Sequence, residues 1–144
     1  MDAEVVESAS EAETAAAGQR LGETLRPGAV VLLTGQLGAG KTAFVRGLAL
    51  GLGASPDEVS SPTFTLIQEY RGGRSTLHHV DLYRLQPAEI DDLGLDELMS
   101  GDDIVAIEWA ERWPGRPADA IEVSIADEGE DRRRIEIRRP YSTR

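Results

Sequence analysis

Cysteine is missing from all 144 residues, which excludes disulfides, thiolate catalysis and cysteine-ligated zinc or iron–sulfur sites. Excess positive charge is also missing. The formal net charge is −11 and the sequence pI is near 4.6, whereas a chain that grips nucleic acid by its phosphates presents a basic face. Aromatic residues make up only 5% and hydrophobic ones 40%, ordinary for a soluble α/β protein. No apolar run approaches the length of a membrane span, so no membrane contact is expected. The acidic stretch from Met1 to Glu13 does not fit a secretory signal, and the cytoplasm is the expected compartment. At 15.6 kDa the chain is large enough for one core and too small for two.

Lysine is almost missing, and the exception is informative. Of fifteen basic residues one is a lysine, and it lies in Gly35-Gln36-Leu37-Gly38-Ala39-Gly40-Lys41-Thr42. A compact, rotatable ammonium suits a phosphate chain where arginine's rigid fork does not. The run matches the phosphate-binding loop G-x-x-x-x-G-K-[ST], in which backbone N–H groups wrap the phosphates. Lys41 then reaches the terminal phosphates and Thr42 ligates magnesium (Mg2+). The flanks agree: Ala29 to Thr34 reads as a buried strand, and Thr42 to Leu52 as a helix with Phe44, Val45, Leu48 and Leu52 at helical spacing, stopped by Gly53. Strand, glycine loop and helix is the order the chemistry requires, because the helix N-terminus adds its dipole and free N–H groups. A bare glycine turn would leave the Lys-Thr pair unexplained.

Elsewhere, Ser10-Glu11-Ala12-Glu13 reads as a capping box opening a helix to about Leu25, with Thr14, Ala17, Leu21 and Leu25 along one stripe. Phe64 to Tyr70 and Thr76 to Leu82 read as two strands joined by a turn at Arg71-Gly72-Gly73-Arg74. Helical stretches follow from Pro87 and over Leu93 to Met99. Then come the apolar run Ile104 to Ile107 and two last strands near Ile121 to Ala126 and Arg133 to Ile137. The expected fold is α/β: a single domain of the phosphate-loop NTPase type. Its mixed sheet has parallel central strands and antiparallel edge strands, flanked by helices. Residues 10–140 make the domain, residues 1–9 a flexible N-terminal segment and 141–144 a flexible tail. Arg132, Arg133, Arg134, Arg138, Arg139 and Arg144 crowd the C-terminus and read mainly as charges blunting an edge strand, with one or two left to face a nucleotide or partner.

A phosphate loop needs a carboxylate on a second strand to hold magnesium and polarise water. Glu108 follows four apolar residues and should project from the carboxyl end of a central strand, where open α/β sheets bind ligands. Asp81, closing the strand Leu77 to Val80, is the second candidate. Which of the two positions the attacking water stays open. His78 and His79 are adjacent, point to opposite faces and cannot share one metal, so they read as structural rather than zinc ligands. Trp109 reads as a cap on the site or as core. Pro62-Thr63-Phe64-Thr65 offers either a switch-like hydroxyl or a plain β-branched strand start.

Four segments together carry a resemblance: Leu33 to Thr42, Ser61 to Leu66, His79-Val80-Asp81-Leu82-Tyr83-Arg84-Leu85, and Ile107-Glu108-Trp109. In this order and at this spacing the chain strongly resembles the TsaE family, small bacterial ATPases required for N6-threonylcarbamoyladenosine formation in tRNA. The resemblance implies that Gly38, Ala39, Gly40, Lys41, Thr42 and Ala43 hold the phosphates of ATP and that Thr42 and Glu108 organise magnesium. It makes Asp81 a catalytic or nucleotide-contacting acid, Ser61, Pro62 and Thr63 a switch-like loop, and Trp109 part of the motif. It sets Glu11 and Arg133 beside the adenine. Ala43 departs from the pattern, standing where many members have a second threonine. The implied partners are proteins of the TsaD and TsaB type, with tRNA reached only through them. Hydrolysis would be weak alone, with Arg84 the nearest arginine in cis. Two other classes compete. A small-molecule kinase of the phosphate-loop class would need an acceptor pocket and lid. A GTPase-like switch would need an Asn-Lys-x-Asp segment, which a chain with Lys41 as its only lysine does not have.

Overall fold

The computed structural model describes residues 2–35, 40–55, 59–60, 67–71, 73–83, 85–99 and 101–140. In chain order the elements are β1 (Asp2–Ser8), α1 (Glu11–Thr24), β2 (Val30–Thr34), α2 (Lys41–Gly51), β3 (Val59–Ser60), β4 (Ile67–Tyr70) and β5 (Leu77–Asp81). There follow α3 (Pro87–Asp91), α4 (Leu95–Met99), β6 (Ile104–Glu108), a 3-10 turn at Ala110–Arg112, β7 (Ile121–Asp127) and β8 (Arg133–Arg139). Among the described residues the strands form one sheet in the order β1-β8-β7-β2-β6-β5-β4-β3.

The centre is parallel: β2 pairs with β6 and β7, and β5 pairs with β6. Antiparallel pairs finish both sides, β3–β4–β5 on one and β7–β8–β1 on the other. Continuous apolar sequence explains why β2 and β6 lie in the middle, since both of their faces are covered. Val31 and Leu33 point with Ile104 and Ala106 toward α1 and α2, meeting Leu21, Phe44, Val45 and Leu48. Leu32, Val105 and Ile107 point the other way, to Leu85, Ile90, Leu95 and Trp113. Alternation along each strand thus builds two cores from one sheet.

The N-terminal segment differs from expectation. Residues 2–8 are not a flexible tail but β1, paired along its whole length with β8 from Asp2↔Arg139 to Ser8↔Arg133. The reason is complementarity: Glu4 and Glu7 meet Arg139 and Arg134 at 3.3 and 3.1 Å, and Val6 packs on the core. Such exposed pairs contribute at most about 1 kcal/mol each, so the backbone ladder and Val6 carry most of the ordering. It follows that β8 is not the edge strand; β1 covers it. Residues 141–144 lie outside the described residues.

Helix α1 opens as its sequence implies. Ser10 Oγ accepts the Glu13 N–H at 3.1 Å, while Glu13 Oε1 accepts the N–H of Ala9, one residue before the cap, at 2.7 Å. The stripe Thr14, Ala17, Leu21 and Leu25 is buried. Helices α1 and α2 then touch backbone to backbone. A methyl at Gly18 would collide with the Phe44 carbonyl, one at Gly47 with Ala15, one at Gly51 with Gln19, and one at Gly22 would stand 2.5 Å from the Leu48 carbonyl. Both helix C-termini end on one side chain. Arg74, from the turn before β5, donates to the carbonyls of Gly22 (2.8 Å), Leu25 (2.8 Å) and Gly51 (3.1 Å). A cation there satisfies orphan carbonyls and complements both dipoles.

Two stability outcomes follow. Gly47→Ala should lower the unfolding free energy by about 1–3 kcal/mol, because overpacking against a carbonyl outweighs the roughly 1 kcal/mol of helix propensity that alanine adds. Gly101→Ala, where nothing lies within 4 Å, is the control and should be near neutral. Arg74→Ala should cost about 1–3 kcal/mol by stranding three carbonyls. Urea midpoints read all three variants, and a Gly47→Ala midpoint equal to wild type would contradict the close helix contact.

Candidate nucleotide site

Parallel pairing sets three strand ends level. Glu108 is in register with Leu33 of β2 on one side and with Asp81 of β5 on the other. The chain leaving β2 passes Gly35 (φ 147°) and reaches Gly40, which caps α2 at φ 102°, a conformation that excludes most side chains. Helix α2 has neither a side-chain cap nor an acidic residue in its first turn. Among the described residues no side chain caps its first N–H groups, an arrangement in which they and the positive dipole end suit an anion.

Lys41 opens that helix and is 5% exposed. Its Nζ donates to the Gly35 carbonyl at 2.7 Å, stands 3.6 Å from Glu108 Oε1 and lies 4.4 Å above the Trp109 ring. A buried ammonium requires such partners, and the aromatic face adds a cation–π attraction. The second oxygen of Glu108, Oε2, lies 2.5 Å from His79 Nε2. Burial pushes the Glu108 carboxyl up, but the His79 hydrogen bond and charge, with Lys41, more than offset this and hold it below its ordinary value. An ionised carboxylate only accepts, so His79 Nε2 carries the proton.

Trp109 follows Glu108 at φ 63°, ψ 36°, a left-handed conformation rare for a bulky side chain. This turn carries the indole under Lys41, where it is tilted 44° against Tyr83 with ring centroids 4.9 Å apart. Its Nε1 is buried without a hydrogen-bond partner among the described residues. Arg112 lies 6.0 Å from the Tyr83 ring. Asp81 accepts the Tyr83 N–H on Oδ1 at 2.9 Å, which folds the chain back after β5.

On the other side of Lys41, a shallow depression of about 250 Å³ is lined by Glu11, Ala12, Ala15, Thr42, Ala43 and Arg46. Arg133 flanks the loop's end: a methyl at Gly40 would be 3.8 Å from its Nε and 3.6 Å from Thr14 Cγ2. The residues singled out by sequence thus fall into two groups around one helix terminus. Lys41, Glu108, Trp109 and Asp81 lie at the strand ends; Glu11, Thr42, Ala43, Gly40 and Arg133 lie beside α1. Gly38, Ala39, Ser61, Pro62, Thr63 and Arg84 lie outside the described residues. The two histidines do point apart. His78 meets Asp103 at 2.8 Å and Glu69 at 3.5 Å on the far face. His79 is the partner that sequence reasoning missed, although its place two residues before Asp81 puts both on one face.

A family model described as "Threonylcarbamoyl adenosine biosynthesis protein TsaE" matches residues 8–135. A tRNA threonylcarbamoyladenosine biosynthesis protein TsaE from a Nostoc species is 50% identical over 121 residues, covering 81% of this chain and 74% of that protein. The protein of that name from Bacillus subtilis is 42% identical over 124 residues, 85% of this chain and 77% of the relative. The crystal structure of Bacillus subtilis YdiB superposes with a TM-score of 0.75 at 34% identity, covering 94% of this chain and 84% of the other. With the family model spanning most of its length and the fold shared, this chain belongs to the TsaE family.

Proposed function

We propose that this chain is a magnesium-dependent ATPase, its activity serving the threonylcarbamoyladenosine biosynthesis after which its relatives are named. The observation that carries the reading is the buried Lys41–Glu108 pair at the uncapped N-terminus of α2. A cation, free N–H groups and a helix dipole converge on one point, which suits a triphosphate, and an ionised carboxylate beside them suits a hard divalent cation.

In this reading Gly38 to Ala43 wrap the phosphates, Lys41 contacts the terminal ones, and Glu11 and Arg133 border the base. Thr42 and Glu108 hold magnesium, which supplies charge neutralisation at the phosphate oxygens when bound. Glu108 or Asp81 orients the attacking water, Ser61 to Thr63 form the switch-like loop, and Trp109 supports Lys41 from below. No acceptor pocket for a second small substrate is needed: water is the acceptor, and the chemistry serves a cycle run by other proteins. Those partners are of the TsaD and TsaB type. The net charge of −11 favours reaching tRNA through them rather than by direct phosphate contact. Among the described residues no helix is long and apolar enough to cross a membrane.

Lys41→Ala and Glu108→Ala should each lower ATP turnover by the assembled complex by about a hundredfold or more, since each removes charge aimed at the reacting phosphates. Unchanged turnover in both would sink the proposal. Competition of ATP with GTP for the site, followed by calorimetry, should favour ATP. The pH response has a defined sign. Because Glu108 is held below its ordinary value, it keeps its charge to lower pH than an unperturbed glutamate, and magnesium-dependent nucleotide binding should outlast that of an unperturbed glutamate as pH falls through the usual carboxylate range. A loss of binding that begins above that range would assign the titration to another group.

A further inference from the structure

The two oxygens of Glu108 are treated unequally. Oε2 lies 2.5 Å from His79 Nε2, within hydrogen-bonding distance, whereas Oε1 stops 3.6 Å from Lys41 Nζ. Lys41 spends a hydrogen bond on the Gly35 carbonyl instead, at 2.7 Å. Two opposite charges buried at 7% and 5% exposure attract strongly, because little water screens them. Left to itself, a carboxylate there would rotate about its soft terminal torsion and close onto the ammonium. The imidazole is the group that holds it back.

We infer that His79 is a positioning residue that tethers Glu108 short of close hydrogen-bonding contact with Lys41, so that the two remain an ion pair while each keeps a face open to a ligand. The inference deepens the nucleotide-site reading above and rests on it for its functional consequence, but the tether itself is a property of the chain alone. His79 is suited to the task. It is 8% exposed, sits between Gln68 of β4 and Ala106 of β6 in the sheet register, and has only two side-chain torsions. Its Nε2–H is the donor that an ionised Glu108 can accept. The offset matters: His79 is level with Ala106, two residues before Glu108, so its ring reaches Glu108 from behind, leaving the far side of the carboxylate toward Lys41 and the loop.

The functional consequence is a lower magnesium requirement. A carboxylate hydrogen-bonded to Lys41 would give up that bond before binding a cation, and removal of such a supporting partner typically costs about 10–100-fold in metal affinity. His79→Leu removes the donor at similar volume; His79→Gln restores an N–H near the position of Nε2. In His79→Leu the crystal structure without nucleotide should show Glu108 closed onto Lys41 at about 2.8 Å. The magnesium concentration needed for half-maximal binding of a non-hydrolysable ATP analogue should rise about tenfold or more. His79→Gln should return both toward wild type.

Equal behaviour of the leucine and glutamine variants would reduce His79 to a space-filling role and overturn the inference, as would a Glu108–Lys41 distance unchanged in His79→Leu. If Glu108→Ala leaves the magnesium requirement unaltered, the magnesium reading fails by itself, while the distance in the leucine variant still decides the tether. Should His79→Leu not fold, the wild-type protein decides. Its His79 Nε2 proton should give a slowly exchanging imidazole resonance that is lost in Glu108→Ala, and its absence from wild type would refute the tether.

Discussion

Everything at this site depends on keeping one ammonium and one carboxylate buried, close and unmerged. Burial of an ion pair costs several kcal/mol per charge before any attraction is counted, and only further hydrogen bonds offset it. Here the offsetting contacts come from three elements: the Gly35 carbonyl after β2 accepts from Lys41, His79 of β5 donates to Glu108, and the Trp109 ring after β6 faces the ammonium. No single element could supply all of them. The parallel register that levels Leu33, Glu108 and Asp81 is therefore the condition for the site, because a slip of one residue would turn Glu108 to the opposite face.

That register is held in turn by the layers around it. Apolar residues on both faces of β2 and β6 pin the central strands between two cores. The position of α2, and so of Lys41, is set by the glycine-lined contact with α1, in which backbones meet without intervening side chains. Arg74 then ties the far ends of both helices to the turn before β5. The strand carrying His79 and Asp81 is thereby mechanically linked to the helix carrying Lys41, from the end opposite the site.

How much of this was legible in the chain follows from what is local. The apolar runs of β2 and β6, the capped stripe of α1 and the helix α2 are patterns within about fifteen residues, and they read correctly. Glu108 could be placed at a strand end for the same reason. The strand β1 could not, because Asp2 to Ser8 is acidic with one short apolar pair, and its order comes from a backbone ladder to β8, more than 120 positions away. The same limit hid His79. Its partner is fixed by how β5 registers on β6, which no local periodicity encodes. Arg74 looked like an ordinary turn residue, since capping two helices depends on where those helices end in space. The left-handed turn at Trp109 is written in no propensity; a bulky residue there goes against local preference, and such conflicts concentrate at sites where the surroundings over-determine the backbone.

The charge distribution gives the site a further character. A chain of net charge −11 repels a polyanion at long range, so any attraction to phosphate has to come from local groups such as Lys41 and the α2 terminus. At physiological salt, surface charges fade over about 8 Å, so the acidic exterior acts mainly on large ligands that must lie along it. A small phosphorylated ligand that reaches the loop feels chiefly the local positive groups. A nucleic acid draped over the surface would meet carboxylates first. The arginines that might have offered it a foothold are partly spent: Arg134 and Arg139 face Glu7 and Glu4 across β1. The near-absence of lysine thus acts twice, leaving one flexible ammonium for the loop and removing the long, mobile cations that would bind phosphate elsewhere.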